Sequence, residues 1–390
     1  MIVVIADDLT GAAELGGLGR KYNLVTEITT NLTPSSTADL LIIATDTRSL
    51  SRVAAEAVIR EVCSGLHQLQ PAMVFKKVDS VLRGHVLAEI DVQRHTLHLS
   101  KALIVPANPG LGRTIVDGTY LLHGGPIHAS SFSQDPEFPV TSSRVPHMLA
   151  AEAHAVMLLK HHESMPATGV VVGEVKEAAD LAAWCAKIDS HTLVAGAAEF
   201  FTALLASRNL APLPAVLPVA AQRPFLVIWG STFHKSRSFV RKMKNEGFPV
   251  SYMPEALTSD SITDSLVYEE WVEDIIYNLT RHGQAGMAID PDRNDCRIDA
   301  LALRTMMGYV ASLVVNRTLV RELLIEGGST AAAVIRKLGI KTLYPEAELA
   351  PGVIRMSVKG AQDLYLTLKP GSYEWPGFLL PSKQVGGTMI

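Results

Sequence analysis

Short aliphatic runs alternate with longer amphipathic stretches along the first half of the chain. Residues 2–6 (IVVIA), 40–44 (LLIIA), 73–76 (MVFK), 102–105 (ALIV) and 169–172 (GVVV) are brief, apolar and rich in β-branched side chains. Uninterrupted apolar runs of this length suit strands buried on both faces of a parallel sheet. Between them the apolar spacing becomes helical. Residues 51–68 open on Ser51, a good capping side chain, and bring Val53, Ala57, Val58 and Val62 towards one face. Strand followed by helix, repeated, predicts an α/β fold of mostly parallel sheets.

Two stretches interrupt the alternation. Residues 110–143, rich in Gly, Pro, His and Ser, read as a long connection with a short hairpin around 119–122. Long irregular segments within compact domains are often functional. After a helix expected at 199–206, residues 207–223 carry three prolines and no amphipathic period, and mark a linker. A second α/β unit begins at 225–230 (FLVIWG), with strands at 286–289, 323–326 and 364–368 and helices at 235–246, 267–281, 299–316 and 330–338. The expected division is therefore 1–206, a linker at 207–223, and 224–390; a chain of 390 residues is long enough for two cores.

Composition narrows the function classes. Hydrophobic residues make up 48% of the chain, which excludes a disordered or fibrous protein. With 35 Lys and Arg against 39 Asp and Glu, and no basic block, the chain lacks the footprint of a nucleic-acid binder. No apolar run approaches the roughly 20 residues of a membrane span. The carboxylates of MIVVIADD interrupt the first apolar run too early for a signal peptide. Cys63, Cys185 and Cys296 are odd in number and in no metal-binding spacing, so free thiols in a reducing cytoplasm are expected.

The candidate chemistry sits where strands end. Asp7 and Asp8 follow the first strand and precede a helix start. Beyond the carboxyl end of a strand, such carboxylates can orient a hydroxyl, accept its proton or help hold a metal, and either could instead cap the helix. The run Lys76-Lys77-Val78-Asp79-Ser80-Val81-Leu82-Arg83-Gly84 closes another strand with three cations, and Arg48 follows the run 40–44. Lysine and guanidinium suit a carboxylate or phosphate ligand. In the second half, Gly230-Ser231-Thr232 and Glu326-Gly327-Gly328-Ser329-Thr330 each follow a strand, where glycine admits phosphate to a helix N-terminus. There is no Walker A sequence and no dinucleotide GxGxxG turn, because Gly16, Gly17 and Gly19 fall inside the first helix. The histidines show no metal-ligand spacing, and no metal site is expected.

The order of these pieces resembles a known family. ADDLTGAAE at the N-terminus, KKVDSVLRGH near residue 80, VPANPGLGRTIVDGTYLLHGGPI and SQDPEFP across 105–139, GSTFHKS at 230, EGGSTAAA at 326 and LAPGV at 349 are similar to segments of the four-carbon acid sugar kinases. Members of that family are ATP-dependent bacterial enzymes that phosphorylate D-threonate, D- or L-erythronate, or 3-oxo-tetronates. The resemblance covers about residues 1–372. It implies an N-terminal acid-sugar domain, a C-terminal nucleotide domain and an active site in the cleft between them.

Carried over residue by residue, Asp7, Arg48 and the Lys77-Val78-Asp79-Ser80 stretch become acid-sugar contacts, and Asp8 and Arg83 join the expected site beside them. The catalytic candidates are Asp7 and Asp79, with Asp7 preferred as base. Ser231, Gly327, Gly328, Ser329, Thr330 and Gly371 become ATP contacts. The resemblance implies ATP as co-substrate with Mg²⁺, and a sugar acid and ATP as partners. It leaves room for a homodimer and gives no role to nucleic acid or membrane. Val81, His85, Ala13-Glu14, Ser329, Pro370 and Tyr373-Glu374-Trp375 depart from the family pattern and mark a divergent subgroup. Two other classes stay open. One is an NAD(P)-dependent oxidoreductase of small hydroxy acids, disfavoured by the missing fingerprint; the other is a non-catalytic ligand sensor on the same fold.

Overall fold

The aliphatic runs of the first half line up as parallel strands. In the computed structural model these are β1 (Ile2–Ala6), β2 (Thr26–Thr29), β3 (Leu40–Ala44), β4 (Met73–Lys77), β5 (Lys101–Val105), β9 (Met157–Leu159), β10 (Gly169–Gly173) and β11 (Thr192–Gly196), while β6 (Arg113–Val116), β7 (Thr119–Leu122) and β8 (Gly125–Pro126) form a separate small antiparallel sheet. The structure describes all residues except 33–34, 136, 151–155, 209, 215–218, 231–233, 259–264, 293–299, 362, 372 and 381–390. The chain divides into two units, Met1–Pro214 and Ala215–Ile390. Among the described residues no helix is long and apolar enough to cross a membrane.

The large sheet of the first unit runs β2-β3-β1-β4-β11-β5-β10-β9, with every neighbouring pair parallel. Its connecting helices are α1 (Leu9–Lys21), α2 (Arg52–Gly65), α3 (Val86–Thr96), α4 (Val145–Met148), α5 (Ala178–Cys185) and α6 (Ala198–Ser207). Alternation along the strands serves both faces. Val3, Ile5, Leu41 and Ile43 pack against Ile59 and Cys63 of α2 and Val92 of α3. On the opposite face Phe75 meets Phe200 and Phe201 of α6, at ring-centroid distances of 6.4 and 5.0 Å. Full burial of each such side chain contributes about 1.5–3 kcal/mol.

Helix α2 buries a different face from the one its valines suggest. Ala55, Ile59 and Cys63 are buried, at i, i+4 spacing, whereas Val53 is 78% exposed. The glycines of α1 have a packing reason. A Cβ on Gly19 would lie 2.5 Å from both Leu40 Cδ2 and Thr26 Oγ1, so the helix can sit against β2 and β3 only without it. From β1 the chain first builds outward to β2 and β3, then crosses back to β4 on the other side of β1. That reversal makes the β1/β4 boundary the topological switch point, where ligands of open α/β sheets bind.

The second unit contains β12 (Phe225–Trp229), α7 (His234–Asn245), β13 (Val250–Tyr252), α8 (Ser265–His282), β14 (Gln284–Ala288), α9 (Ala300–Arg317), β15 (Glu322–Glu326), α10 (Gly328–Lys337), β16 (Thr342–Ala350), β17 (Val353–Val358) and β18 (Tyr365–Lys369). Its strand order is β13-β14-β12-β15-β18-β17-β16. The first five are parallel, and β18, β17 and β16 pair antiparallel. Buried Glu322 joins these parts, accepting from Arg355 Nε at 3.0 Å, Arg355 Nη2 at 2.9 Å and the Gln222 N–H at 2.7 Å. The connection reverses between β12 and β15, so the second switch point lies where Gly230 and Gly327 leave their strands.

Candidate active site

In the first unit the ends of β1, β3 and β4 bring Asp7, Asp8, Arg48, Lys77 and Asp79 together. The two adjacent aspartates have separate roles. Asp8 is the N-cap of α1: its Oδ1 accepts the Gly11 N–H at 3.0 Å, and the Thr10 hydroxyl donates to its Oδ2. Asp7 makes no cap. It is 4% exposed and takes a two-pronged bond from Arg48, Nε to Oδ2 at 2.7 Å and Nη2 to Oδ1 at 3.0 Å. Arg48 Nη2 also lies 3.0 Å from Asp8 Oδ1, and Nη1 lies 3.7 Å from Asp79 Oδ1. One guanidinium thus balances three carboxylates.

Burial works against the charges of Asp8 and Arg48, and the attraction of their neighbours overrides it. Burial pushes the Asp8 carboxyl up, but Arg48, Lys77 and the Thr10 bond hold it below its usual range. Burial likewise opposes the Arg48 charge, and Asp7, Asp8 and Asp79 keep it charged well beyond the ordinary range of arginine. Gly84 gives the room for this packing. Its φ is +87°, and a Cβ there would lie 3.1 Å from Arg48 Cγ and 3.4 Å from Asp7 Oδ2.

Asp79 spends its acceptors on its own loop. Its Oδ2 accepts the N–H groups of Val81 at 3.0 Å and Arg83 at 3.2 Å and Arg83 Nε at 2.9 Å, while Oδ1 accepts Arg83 Nη2 at 2.7 Å. Burial would raise this carboxyl, yet Arg83, Arg48 and Lys77 drive it far below the usual carboxylate range. Arg83 Nη1 reaches on to Asp135 Oδ2 at 2.6 Å, which ties the loop to the irregular segment 110–143. That segment also sends the Tyr120 hydroxyl to the Ser80 carbonyl and Arg113 Nη1 to Ser80 Oγ at 2.6 Å. Lys77 Nζ donates to the Val78 carbonyl at 3.1 Å and lies 3.5 Å from Glu14.

A second layer supports the turn that carries Arg48. Lys76 and Glu89, each 1% exposed at the side chain, form a buried ion pair. Thr47 Oγ1 donates to Glu89 Oε1 at 2.7 Å, and Thr45 Oγ1 donates to the Ala6 carbonyl at 2.9 Å. Among the described residues no three acidic, imidazole or thiol groups are arranged to hold a metal ion; Asp7, Asp8 and Asp79 converge on Arg48 instead.

In the second unit the turn after β15 enters α10 at once. Gly327 is the N-cap with φ +91°, a conformation that disfavours side chains, and among the described residues no side chain caps the helix. The leading N–H groups of α10 are therefore available to an anion. Gly230 backs directly onto this helix, since a Cβ there would lie 2.6 Å from Thr330 Oγ1. Beside the turn lies a cavity of about 450 Å³ whose lining includes Lys235, Phe239, Glu326, Lys369, Gly371 and Trp375. Lys369 Nζ lies 3.2 Å from Glu326 Oε2, and Trp375 Nε1 donates to the same oxygen at 3.2 Å. Burial depresses the Lys369 ammonium below its usual range, against the pull of Glu326.

Comparison with known proteins decides the family. Residues 2–211 match the sugar-binding N-terminal domain and residues 226–373 the nucleotide-binding C-terminal domain. The chain belongs to the four-carbon acid sugar kinase family. It is 26% identical to a D-threonate kinase of Salmonella typhimurium, over 90% of this chain and 89% of that one. It is also 26% identical to a D-threonate kinase of Bordetella bronchiseptica (98% and 96% covered) and 25% identical to a 3-oxo-tetronate kinase of Cupriavidus necator (98% and 96% covered). Its fold is shared with a solved Haemophilus influenzae structure, at TM-score 0.69 and 18% identity, covering 97% of this chain and 98% of that one.

For this family member, the structure gathers Asp7, Asp8, Arg48, Lys77, Asp79, Ser80 and Arg83 at one end of the first sheet, while the Val78 side chain is buried in the hydrophobic core and its carbonyl accepts from Lys77. It gathers Gly327, Gly328, Ser329 and Thr330 at the start of α10 and sets Gly371 on the neighbouring cavity. Ser231 lies outside the described residues. Sequence reasoning gave no part to Arg113, Tyr120, Asp135, Glu89 or Lys369. Arg113, Tyr120 and Asp135 stand in the GRT, GTYLL and SQDPEFP segments, so the motif was visible although the contacts were not.

Proposed function

We propose that this protein is an ATP-dependent cytoplasmic kinase that phosphorylates a hydroxyl of a four-carbon sugar acid of the threonate, erythronate or 3-oxo-tetronate class. The observation that carries the reading is the Asp7–Arg48 pair at the β1/β4 switch point. Among the described residues Asp7 is a buried carboxylate bound by Arg48 along one edge, so each oxygen keeps a lone pair for a hydroxyl. Arg48 fixes its orientation. Asp79, whose Oδ2 accepts three donors of its own loop and whose Oδ1 is held by Arg83, shapes the loop, and Asp7 is the preferred base. Lys77, with one carbonyl bond, retains donors for the acid's oxygens. The kinase names of the full-length relatives support the reaction and the substrate class.

In the proposed step the substrate hydroxyl oxygen bonds to the γ-phosphorus of ATP as the bond from that phosphorus to the bridging oxygen of ADP breaks. The hydroxyl proton passes to Asp7. Catalysis of this kind rests on positioning and charge neutralisation rather than on a covalent enzyme intermediate. Ser231, Gly327–Thr330 and Gly371 would receive the nucleotide, with its phosphates on the uncapped start of α10. Among the described residues no side chains form a metal cage; Mg²⁺ brought with ATP would supply charge neutralisation.

The test is ADP release at saturating ATP across a panel of tetronates, with NAD(H) binding measured in parallel. Acid-dependent ADP release is expected. Binding of NAD(H) without ATP would support the oxidoreductase class, and acid binding without turnover would support a sensor; either result would overturn the kinase reading.

A further inference from the structure

Three guanidinium groups surround Asp79 and Ser80, and two of them are neutralised by the protein. Arg48 has Asp7, Asp8 and Asp79 around it, and Arg83 has Asp79 and Asp135. Arg113, carried on β6, differs. It is 8% exposed, and among the described residues no carboxylate lies within ion-pair distance of it. Its Nη1 donates to Ser80 Oγ at 2.6 Å, while its Nε is buried with no hydrogen-bond partner among the described residues. Glu199, an acid that feels its charge, is turned to the Gly110 N–H at 3.1 Å instead.

A buried guanidinium without a counter-ion is unfavourable, and it implies that an anion comes from elsewhere. The surroundings suit one. Arg113 holds Ser80, the residue next to Asp79 in the same β4 loop. The ring of Phe132 lies 5.2 Å from Arg113 and 5.8 Å from Arg83, within cation–π range of both. Arg48, by contrast, already directs Nε and Nη2 to protein carboxylates.

We propose that Arg113 is the anchor for the substrate's carboxylate and that it, rather than Arg48, makes the protein select an acid over an uncharged polyol. The proposal rests on the kinase reading for the identity of the ligand, a small hydroxy-carboxylate. It also explains the irregular segment 110–143, in which β6 and the 131–135 turn bring Arg113, Phe132 and Asp135 to the β4 loop, where Arg83 ties them.

Arg113→Met and Arg113→Lys test this with three readouts: turnover of D-threonate and D-erythronate against the matching tetritols, calorimetric binding of the same acids, and the melting temperature without ligand. Arg113→Met should weaken tetronate binding by roughly 10–150-fold, the effect of losing hydrogen bonds to a charged group. The KM for ATP and the kcat/KM for the tetritol should hardly move, so the preference for the acid disappears. Arg113→Lys should recover part of it. The melting temperature of Arg113→Met should hold or rise, because an unpaired buried charge is removed. An unchanged tetronate affinity would overturn the proposal, as would equal losses on acid and tetritol together with a lower melting temperature. A loss confined to ATP would assign Arg113 to the phosphoryl group and overturn it too. Wild-type protein that binds tetronates without consuming ATP would remove the kinase reading and leave the anchor to be judged by calorimetry. Wild-type turnover with an unaffected Arg113→Met would remove only the anchor.

Discussion

Replacing Asp7 by Asn separates chemistry from scaffolding, because the helix cap belongs to its neighbour. Asn offers Arg48 one oxygen in place of two and turns an NH₂ group towards a donor, so one of the bonds at 2.7 and 3.0 Å is lost. Removing one member of a buried ion pair typically costs about 3–5 kcal/mol when the other charge is abandoned. Arg48 is not abandoned here, since Asp8 Oδ1 stays at 3.0 Å and Asp79 Oδ1 at 3.7 Å. The expected cost is that of one charged hydrogen bond, about 1.5–3 kcal/mol. For a unit of this size that lowers the melting temperature by about 3–12 °C, which leaves the variant folded at 25 °C. Turnover should nevertheless fall by roughly 10²–10⁴-fold, the usual contribution of a general base. The comparison variant is Asp8→Asn, in which Asn caps α1 almost as well and the larger part of turnover survives. Steady-state assays at saturating ATP and acid, run beside thermal melts, measure both quantities. Near-normal turnover in Asp7→Asn, or a greater loss in Asp8→Asn, would refute the assignment of the base.

Gly328→Val, at the first residue of α10, should weaken ATP binding about tenfold or more while tetronate binding stays intact, because a β-branched side chain fills the approach to the helix N–H groups. Calorimetry with each ligand decides it, and equal loss of both would contradict the division of labour between the units. The Asp79 carboxyl should shape the acid limb of stability. Its native pKa lies far below the unfolded value of about 3.9, so the unfolded chain binds the proton first. The Asp79 contribution is therefore fully present above about pH 4 and is lost as pH falls further. Urea melts between about pH 2.5 and 7 should show a steep acid limb in the wild type and a flatter one in Asp79→Asn; superimposable limbs would contradict this.

What could be read from the sequence followed from locality. Runs such as IVVIA and LLIIA declare buried strands by themselves, and β1 and β3 are fully buried. Strand β2 (TEIT) is polar and short, and its burial depends on its place beside β3, so nothing local announces it. The antiparallel pair β16 and β17 is obscured in the same way, because TLYPEAELA carries a proline and two glutamates and pairs through an irregular register. The valines of α2 point to one face, whereas the smaller Ala55 and Cys63 meet the core with Ile59.

At the site, the Asp doublet and the DSVLRG run were legible as strand-end chemistry. Which aspartate caps and which pairs was not, because the difference is made by Arg48, 41 residues from Asp7. Arg113 and Asp135 were hidden for a similar reason, reaching Ser80 and Arg83 across 33 and 52 residues. The divergent loop 370–375 reads as a departure in sequence and as packing in space, where Trp375 bonds Glu326 and the carbonyls of Pro370 and Tyr373 accept from Lys369 at 2.9 and 2.6 Å.

Phosphoryl transfer from ATP to a four-carbon acid can be observed directly by ³¹P NMR of the purified protein with ATP, Mg²⁺ and each of D-threonate, L- and D-erythronate and the 3-oxo-tetronates. A new phosphomonoester resonance, equal in amount to the ADP formed, is expected with at least one of these acids, absent without the acid and lost in Asp7→Asn. Folded protein that yields no phosphomonoester with any of them, or only inorganic phosphate, would contradict it.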